Sequence, residues 1–343
     1  MSTARLRLVL HALTAALCGP WSSAAMAQAL RLQVPINADL TVVEDPPTQA
    51  ARLVRNGRPW ADTVDPGTRL RLGPPTLQFE GGDVHQRRAR VVPDPQQPGR
   101  YVLEFEVVEP NVSLGPERDL ARAPRPARKA RVQMNVYGND GVAEVYQSVR
   151  MRLDDGFEAL AALPQAFDWL TLSEWWNNAG WTGEPHAFRI TVDLANRGVG
   201  GRAGLYLHAR ATAKRAGGAR WSEMVWAAAA GDWSLPVRQW MTVETWYRDG
   251  DAAQGRFVLA VTPDGGQRRV LLDVHDATRH PLTTVVDGLR HFNPLKLYTS
   301  QALLEAVRRT APRLAVQWAD LDILACAVPA APPSPCEQAI GLR

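Results

Sequence analysis

Short stretches in which apolar and polar residues alternate recur along this chain, and that period of two limits what it can fold into. Successive side chains of an extended strand point to opposite faces, so alternation marks a strand with one buried face. Residues 131–137 show it most clearly. Val132, Met134 and Val136 form one row, and Arg131, Gln133, Asn135 and Tyr137 form the other. The pattern returns with Phe188, Ile190, Val192 and Leu194, and again where Leu205, Leu207 and Ala209 oppose Tyr206, His208 and Arg210. Residues 89–92 and 101–108 flank a proline-rich turn and read as a hairpin, with Glu104 and Glu106 opposite Leu103, Phe105 and Val107. The 26 prolines and 26 glycines are spread through the chain, as many short strands joined by turns require. Helical signals are confined to 156–163 and 301–310, the latter with Ser300 as N-cap and Pro312 beyond its end. The pattern predicts an all-β chain, two stacked antiparallel sheets in a β-sandwich jelly roll with a few short helices. The expected jelly-roll domain covers 76–325. An irregular N-terminal segment, 28–75, precedes it, and a Pro-rich C-terminal tail, 326–343, follows.

Residues 293–300 hold the most informative polar face. Lys296, Tyr298 and Ser300 fall on one side of the predicted strand, and Leu295, Leu297 and Thr299 on the other. Only three lysines (Lys129, Lys214, Lys296) occur among 39 basic residues, so a lysine here is a departure from the chain's use of arginine. An ammonium titrates more readily than a guanidinium when buried. A cation and a phenol side by side suit a groove for an acidic ligand; a surface lysine beside a half-buried tyrosine is the plainer alternative. The same choice, groove or solvated sheet face, applies to Arg131, Gln133 and Asn135.

Residues 1–27 have the form of an export signal. Arg5 and Arg7 precede an apolar run from Leu8 to Leu17, and Ala25-Met-Ala27 supplies a small-residue cleavage site. The expected location is periplasmic or secreted. No later apolar run reaches the ~18 residues of a membrane span. Without the signal, 37 basic residues stand against 35 acidic ones, a balance of +2 that argues against nucleic acid as partner. Cys326 and Cys336 then remain, and in an oxidising compartment they are a candidate disulfide.

Nine of the twelve tryptophans lie between Trp169 and Trp246. Aromatic faces stack on sugar rings while amides and acids read hydroxyls. Trp175 and Trp176, flanked by Glu174 and Asn177, are candidate contacts, as are Glu244 and Trp246 on a later strand. His208, on a polar strand face, is a candidate proton-transfer group. Asp320 and Asp322 are candidate ligands for a structural Ca²⁺; no other cofactor is required.

The order of several segments resembles the concanavalin A-like polysaccharide lyases, the heparin-lyase and glucuronan-lyase type. The segments are Arg-Val-Val-Pro-Asp-Pro with Gly-Arg-Tyr-Val-Leu-Glu-Phe-Glu, then Arg-Lys-Ala-Arg-Val-Gln, then the Trp-rich strand. Trp240-Met-Thr-Val-Glu-Thr-Trp-Tyr-Arg-Asp-Gly-Asp, Gly-Arg-Phe-Val-Leu-Ala-Val and Leu-Lys-Leu-Tyr-Thr-Ser complete the set. The resemblance implies β-elimination on a uronate-containing polysaccharide. A cation or polar group neutralises the carboxylate, a His or Tyr takes the C5 proton, and a Tyr protonates the leaving oxygen. Lys296 and Tyr298 match the family's Lys-x-Tyr strand, and Arg131 and Gln133 its Arg-x-Glu/Gln strand. Where relatives carry Gln-x-His, this chain has Glu174-Trp-Trp176, which leaves three outcomes: His208 supplies the base, Tyr298 acts alone, or the protein is not a lyase. Two other classes stay open: a glycoside hydrolase using Glu174 and Glu244, and a non-catalytic carbohydrate-binding protein. The expected partner is an acidic polysaccharide or oligosaccharide, and the protein is expected to act as a monomer.

Overall fold

The computed structural model describes residues 29–45, 50–65, 70–80, 86–109, 111–112, 128–177, 186–198, 204–215, 221–284, 288–328 and 332–342. The expected export signal lies outside them. The first strands are β1 (Ala29–Val34), β2 (Leu40–Asp45), β3 (Ala50–Arg55), β4 (Arg58–Pro59), β5 (Thr63–Val64), β6 (Arg71–Leu72) and β7 (Pro75–Glu80). Next come β8 (Arg87–Pro93), β9 (Tyr101–Val107), β10 (Asn111–Val112), β11 (Arg128–Tyr137), β12 (Glu144–Leu153) and helix α1 (Gly156–Ala161). Then follow β13 (Thr171–Asn177), β14 (Phe188–Ala195), β15 (Tyr206–Lys214), β16 (Trp221–Ala229), β17 (Trp240–Arg248) and β18 (Arg256–Pro263). The chain closes with β19 (Arg269–Val274), β20 (His291–Asn293), β21 (Lys296–Ser300), α2 (Gln301–Val307), β22 (Leu314–Cys326) and α3 (Pro335–Ile340).

Two antiparallel sheets stack face to face, the predicted jelly-roll sandwich. The first runs β19-β18-β17-β12-β22-β9-β8, with β1 also on β22. The second runs β16-β15-β14-β13-β20-β11-β7-β3-β2, and β21 continues the line of β20 between β11 and β13. The inward rows are the apolar rows of the alternating stretches. Val132, Met134, Val136, Leu297, Ile190 and Val192 from the second sheet meet Val149, Phe257, Leu259 and Val316 from the first. Each such side chain, fully buried, contributes ~1.5–3 kcal/mol, which pins the register because a one-residue slip would turn the whole row outward.

Both ends of the chain differ from expectation. The 28–75 segment is not an irregular leader: β1 pairs with β22 along Leu32↔Ile323, and β2 and β3 extend the second sheet through Ala51↔Leu77. Its strands are short and separated by proline-containing stretches, which hides their place in the sheets. The Pro-rich tail folds back over the first sheet. There α3, capped by Ser334 (its side chain accepts from Glu337 N), packs Cys336 and Ile340 on Trp246 and Val258. The Cys326–Cys336 disulfide is formed, with Cα atoms 6.2 Å apart. In α2, Ser300 accepts from Leu303 N as predicted.

Candidate functional site

The outward face of the second sheet is polar, and register decides which of its side chains meet. On β11 and β21, Arg131 stands opposite Tyr298 and Gln133 opposite Lys296. On the other flank of β11, Glu80 and Gln78 of β7 pair with Arg131 and Gln133. Across the sheet, Thr171 of β13 pairs with Tyr298, Glu174 with Asn293 of β20, and Trp176 with Arg189 of β14. Four of the predicted residues, Arg131, Gln133, Lys296 and Tyr298, therefore form a compact block, with Glu174 against Lys296 and Asn135 at its edge.

Its centre is a buried ion pair. The Lys296 ammonium donates to Glu174 Oε2, with side chains only 2% and 4% exposed. Glu174 Oε1 accepts from Arg189 Nη1 at 3.2 Å, so one carboxylate bridges two cations. Arg131 adds a third positive charge, its guanidinium 5.7 Å from the Tyr298 ring centroid and its Nε 3.6 Å from Glu80. The Lys296 ammonium lies 5.2 Å from the same ring, whose edge meets Trp169 at 5.1 Å. Lys214, on the outward face of β15, brings a fourth cation. Among the described residues, the carboxylates that pair with Lys296, Arg189 and Arg131 are Glu174 and Glu80, and none pairs with Lys214, so these four cations outnumber their partners, which attracts anionic ligands.

These neighbours shift the titrating groups in opposite directions. Burial lowers the Lys296 ammonium to about 8, with Arg131 assisting and Glu174 opposing. Burial raises the Tyr298 phenol above its ordinary value, Glu80 adds to this, and Arg131 opposes. Burial alone would raise the Glu174 carboxyl, but Lys296, Arg189 and Arg131 outweigh it and hold it below its ordinary value.

Sequence reasoning missed His291. It sits on the same face, with Nε2 3.3 Å from Asn135 Oδ1 and 3.2 Å from Asn293 Nδ2, and its ring lies between Tyr137 (5.5 Å) and Trp176 (5.2 Å). Burial lowers it to about 3, reinforced by Lys296 and Arg131 against Glu174, so it is neutral at pH 7. The polar-apolar alternation of His291, Phe292 and Asn293 carries the signal, but Pro294 breaks the period between them and Lys296. Arg189 was also missed; it is the outward neighbour of Ile190 in a strand whose apolar row dominates its reading. Among the described residues, Arg131 Nε, Gln133 Oε1 and Asn293 Oδ1 are buried without a hydrogen bond. Such atoms are uncommon in folded proteins, and here three of them gather in one patch.

The other predicted residues lie elsewhere. His208 shares the outward face but stands on β15, three strand spacings from β21, roughly 14 Å. Its Nε2 is 2.8 Å from Asp168 O, and Asp193 and Arg210 surround it, so it cannot be the base beside Tyr298. Trp175 faces the core, where its ring meets Phe257 at 5.1 Å; a bulge between Thr171 and Ser173 sets that phase. Asn177 shares the Trp175 face and accepts from Arg290 N. Trp176 is on the polar face, as read.

Glu244 and Trp246 belong to β17, on the outward face of the first sheet. Glu244 accepts from Tyr146 at 2.9 Å and Arg268 at 2.6 Å, and Trp246 lies beneath α3 and donates to Glu144. The whole sandwich separates Glu244 from Glu174, two sheets stacked ~10 Å apart with each side chain pointing away from the other sheet. A carboxylate pair for hydrolysis needs ~5–9.5 Å, so that pairing is overturned. Asp320 and Asp322 are likewise no calcium site. Asp320 is 55% exposed and binds Arg100, and Asp322 binds Arg31. No group of three His, Cys, Asp or Glu side chains able to hold a metal occurs among the described residues.

No known protein family matches the chain, and no curated protein matches its sequence. Solved structures similar to it include the PL-14 alginate lyase from Aplysia kurodai, at 10% identity and a TM-score of 0.41, covering 68% of this chain and 87% of that one. Alginate lyase Aly36B follows at 11% identity and 0.38, covering 88% and 97%. The exoplasmic/lumenal domain of VIP36, in a Ca²⁺- and Man₃GlcNAc-bound form, is similar at 7% identity and 0.35, covering 75% and 86%. The sandwich itself defines the class: an all-β jelly roll with a cationic, aromatic-flanked patch on one sheet. No helix among the described residues is long and apolar enough to cross a membrane.

Proposed function

We propose that this protein is an exported polysaccharide lyase that cleaves a uronate-containing polysaccharide by β-elimination. The observation that carries the reading is the registered block of Lys296 and Tyr298 against Arg131 and Gln133, inside a patch with surplus positive charge. Two titrating groups whose surroundings push their proton affinities apart suit a base and an acid. Lys296, lowered to about 8, is the base; Tyr298, raised, is the acid. Arg131 neutralises the uronate carboxylate and so acidifies the C5 proton. That proton passes to Nζ of Lys296 in its neutral amine form, reached by prior loss of the ammonium proton to solvent, the C5–H electron pair forms the C4=C5 double bond, and the C4–O4 bond breaks. The departing O4 takes the Tyr298 proton, and Lys296 returns a proton to the phenolate for the next turnover. His291, neutral and held by Asn135 and Asn293, shapes the neighbouring floor. Export is supported by the form of residues 1–27 and by the disulfide, which suits an oxidising compartment.

The test is ultraviolet absorbance of the unsaturated product on a panel of acidic and neutral polysaccharides. A rise on a uronate polymer that is lost in Tyr298→Phe supports the reading; reducing ends without absorbance would refute it. The near-complete burial of the Lys296–Glu174 pair favours a second reading, a non-catalytic carbohydrate-binding protein in which the pair is structural. In that case oligouronate binds and Tyr298→Phe changes nothing.

A further inference from the structure

Beyond the reacting block, the outward face carries a second cationic element that the proposed chemistry does not use. Arg189 lies over the Trp221 indole with its guanidinium 4.6 Å from the ring centroid, and Lys214 approaches the same ring at 4.9 Å. Trp176 flanks Trp221 at 6.1 Å. Arg189 spends Nε on Thr212 Oγ1 at 3.1 Å and Nη1 on Glu174, leaving Nη2 without a hydrogen bond among the described residues. No carboxylate among the described residues pairs with Lys214, although its ammonium is near an aromatic face. Two cations on one indole repel each other, and an anion placed between them removes that repulsion.

We propose that Arg189, Lys214 and Trp221 form a second carboxylate-binding subsite, taking the uronate next to the one held at Arg131 and Tyr298. This rests on the reading of the site as one for a uronate polymer, and it narrows the substrate to chains with consecutive uronates. Glu174, whose two oxygens hold Lys296 and Arg189, places the guanidinium directly beside the reacting block. The half-buried indole holds both cations against one aromatic surface, so the guanidinium and ammonium can take a carboxylate together. A neutral sugar in this position would leave the Lys214 ammonium without an anionic partner and Arg189 with Glu174 alone, which is how the subsite selects.

The test measures equilibrium binding in a Tyr298→Phe background, where turnover does not interfere. The probes are an oligomer of consecutive uronates and one of equal length in which uronate alternates with a neutral sugar. Lys214→Gln and Arg189→Gln are each expected to weaken the consecutive oligomer by about tenfold or more and the alternating one by less than about twofold. Equal weakening of both oligomers, or of neither, overturns the subsite. Lys214 is half-buried at the sheet surface, so its variant separates lost binding from lost folding. If neither oligomer binds, the subsite and the uronate reading fall together. If the predicted pattern holds but the unmodified protein forms no unsaturated product, the subsite stands and the lyase reading fails.

Discussion

Replacing Glu174 with glutamine removes the one carboxylate that both Lys296 and Arg189 share. Breaking a buried pair from one side leaves an uncompensated charge, at a cost of ~3–5 kcal/mol. Lys296 would then face Arg131 and Arg189 without its own ion-pair partner and would hold its proton even less well than it does at about 8. Lys296→Met has a smaller expected cost, ~1.5–3 kcal/mol, because Glu174 keeps Arg189 at 3.2 Å and the patch loses one of its surplus cations. In the double variant the stranded ammonium is gone, so its cost should fall below the sum of the single ones by at least ~1 kcal/mol. Urea denaturation at pH 7, followed by circular dichroism, reads all four proteins. The sign of the pH dependence adds a second check. A lysine whose folded proton affinity is depressed costs stability while it stays protonated, and that cost is relieved as pH rises through about 8 toward its unfolded value. Additive single effects, or Lys296→Met costing more than Glu174→Gln, would refute the account of Glu174 as a shared bridge.

His291 is held neutral down to about pH 3 while its unfolded form takes a proton near 6.5, so stability should be lost as pH falls across that window. The full difference corresponds to ~5 kcal/mol, and His291→Gln should flatten the denaturation profile between pH 6 and 4; an unchanged slope would count against it. If Lys296 is the base, kcat/KM should rise with pH and level off near 8, whereas a decline above that pH would mean that its ammonium form is the active one. Reducing the Cys326–Cys336 bridge, which closes a short loop and fixes α3 on Trp246, should lower stability by ~3 kcal/mol; equal urea midpoints with and without reductant would contradict that.

The parts of this fold that were legible were those where a single local period decides the outcome. The alternation in β11, β14, β15 and β21 gave both strand and inward face, because burying one apolar row leaves no other register. Strand order is set by contacts far apart in sequence, which explains the misplacements. Glu174 and Glu244 both sit on alternating strands, yet nothing local says that β13 and β17 belong to different sheets. Trp175 was misread because a bulge one turn earlier changes which row faces the core. Within the site, alternation put Lys296, Tyr298, Arg131 and Gln133 on polar faces, and the resemblance to the lyases singled them out. His291 was not, since Pro294 interrupts the period that would have joined it to Lys296. Arg189 was obscured by the strong apolar row of its own strand.

The central claim is elimination on a uronate polymer, and the masses of the products from a defined oligouronate test it most directly. Elimination splits the chain without adding anything, so the product masses should sum to that of the substrate, and one product of each cleavage should carry the C4=C5 double bond. Products whose masses sum to substrate plus one water would mean hydrolysis and would contradict the account.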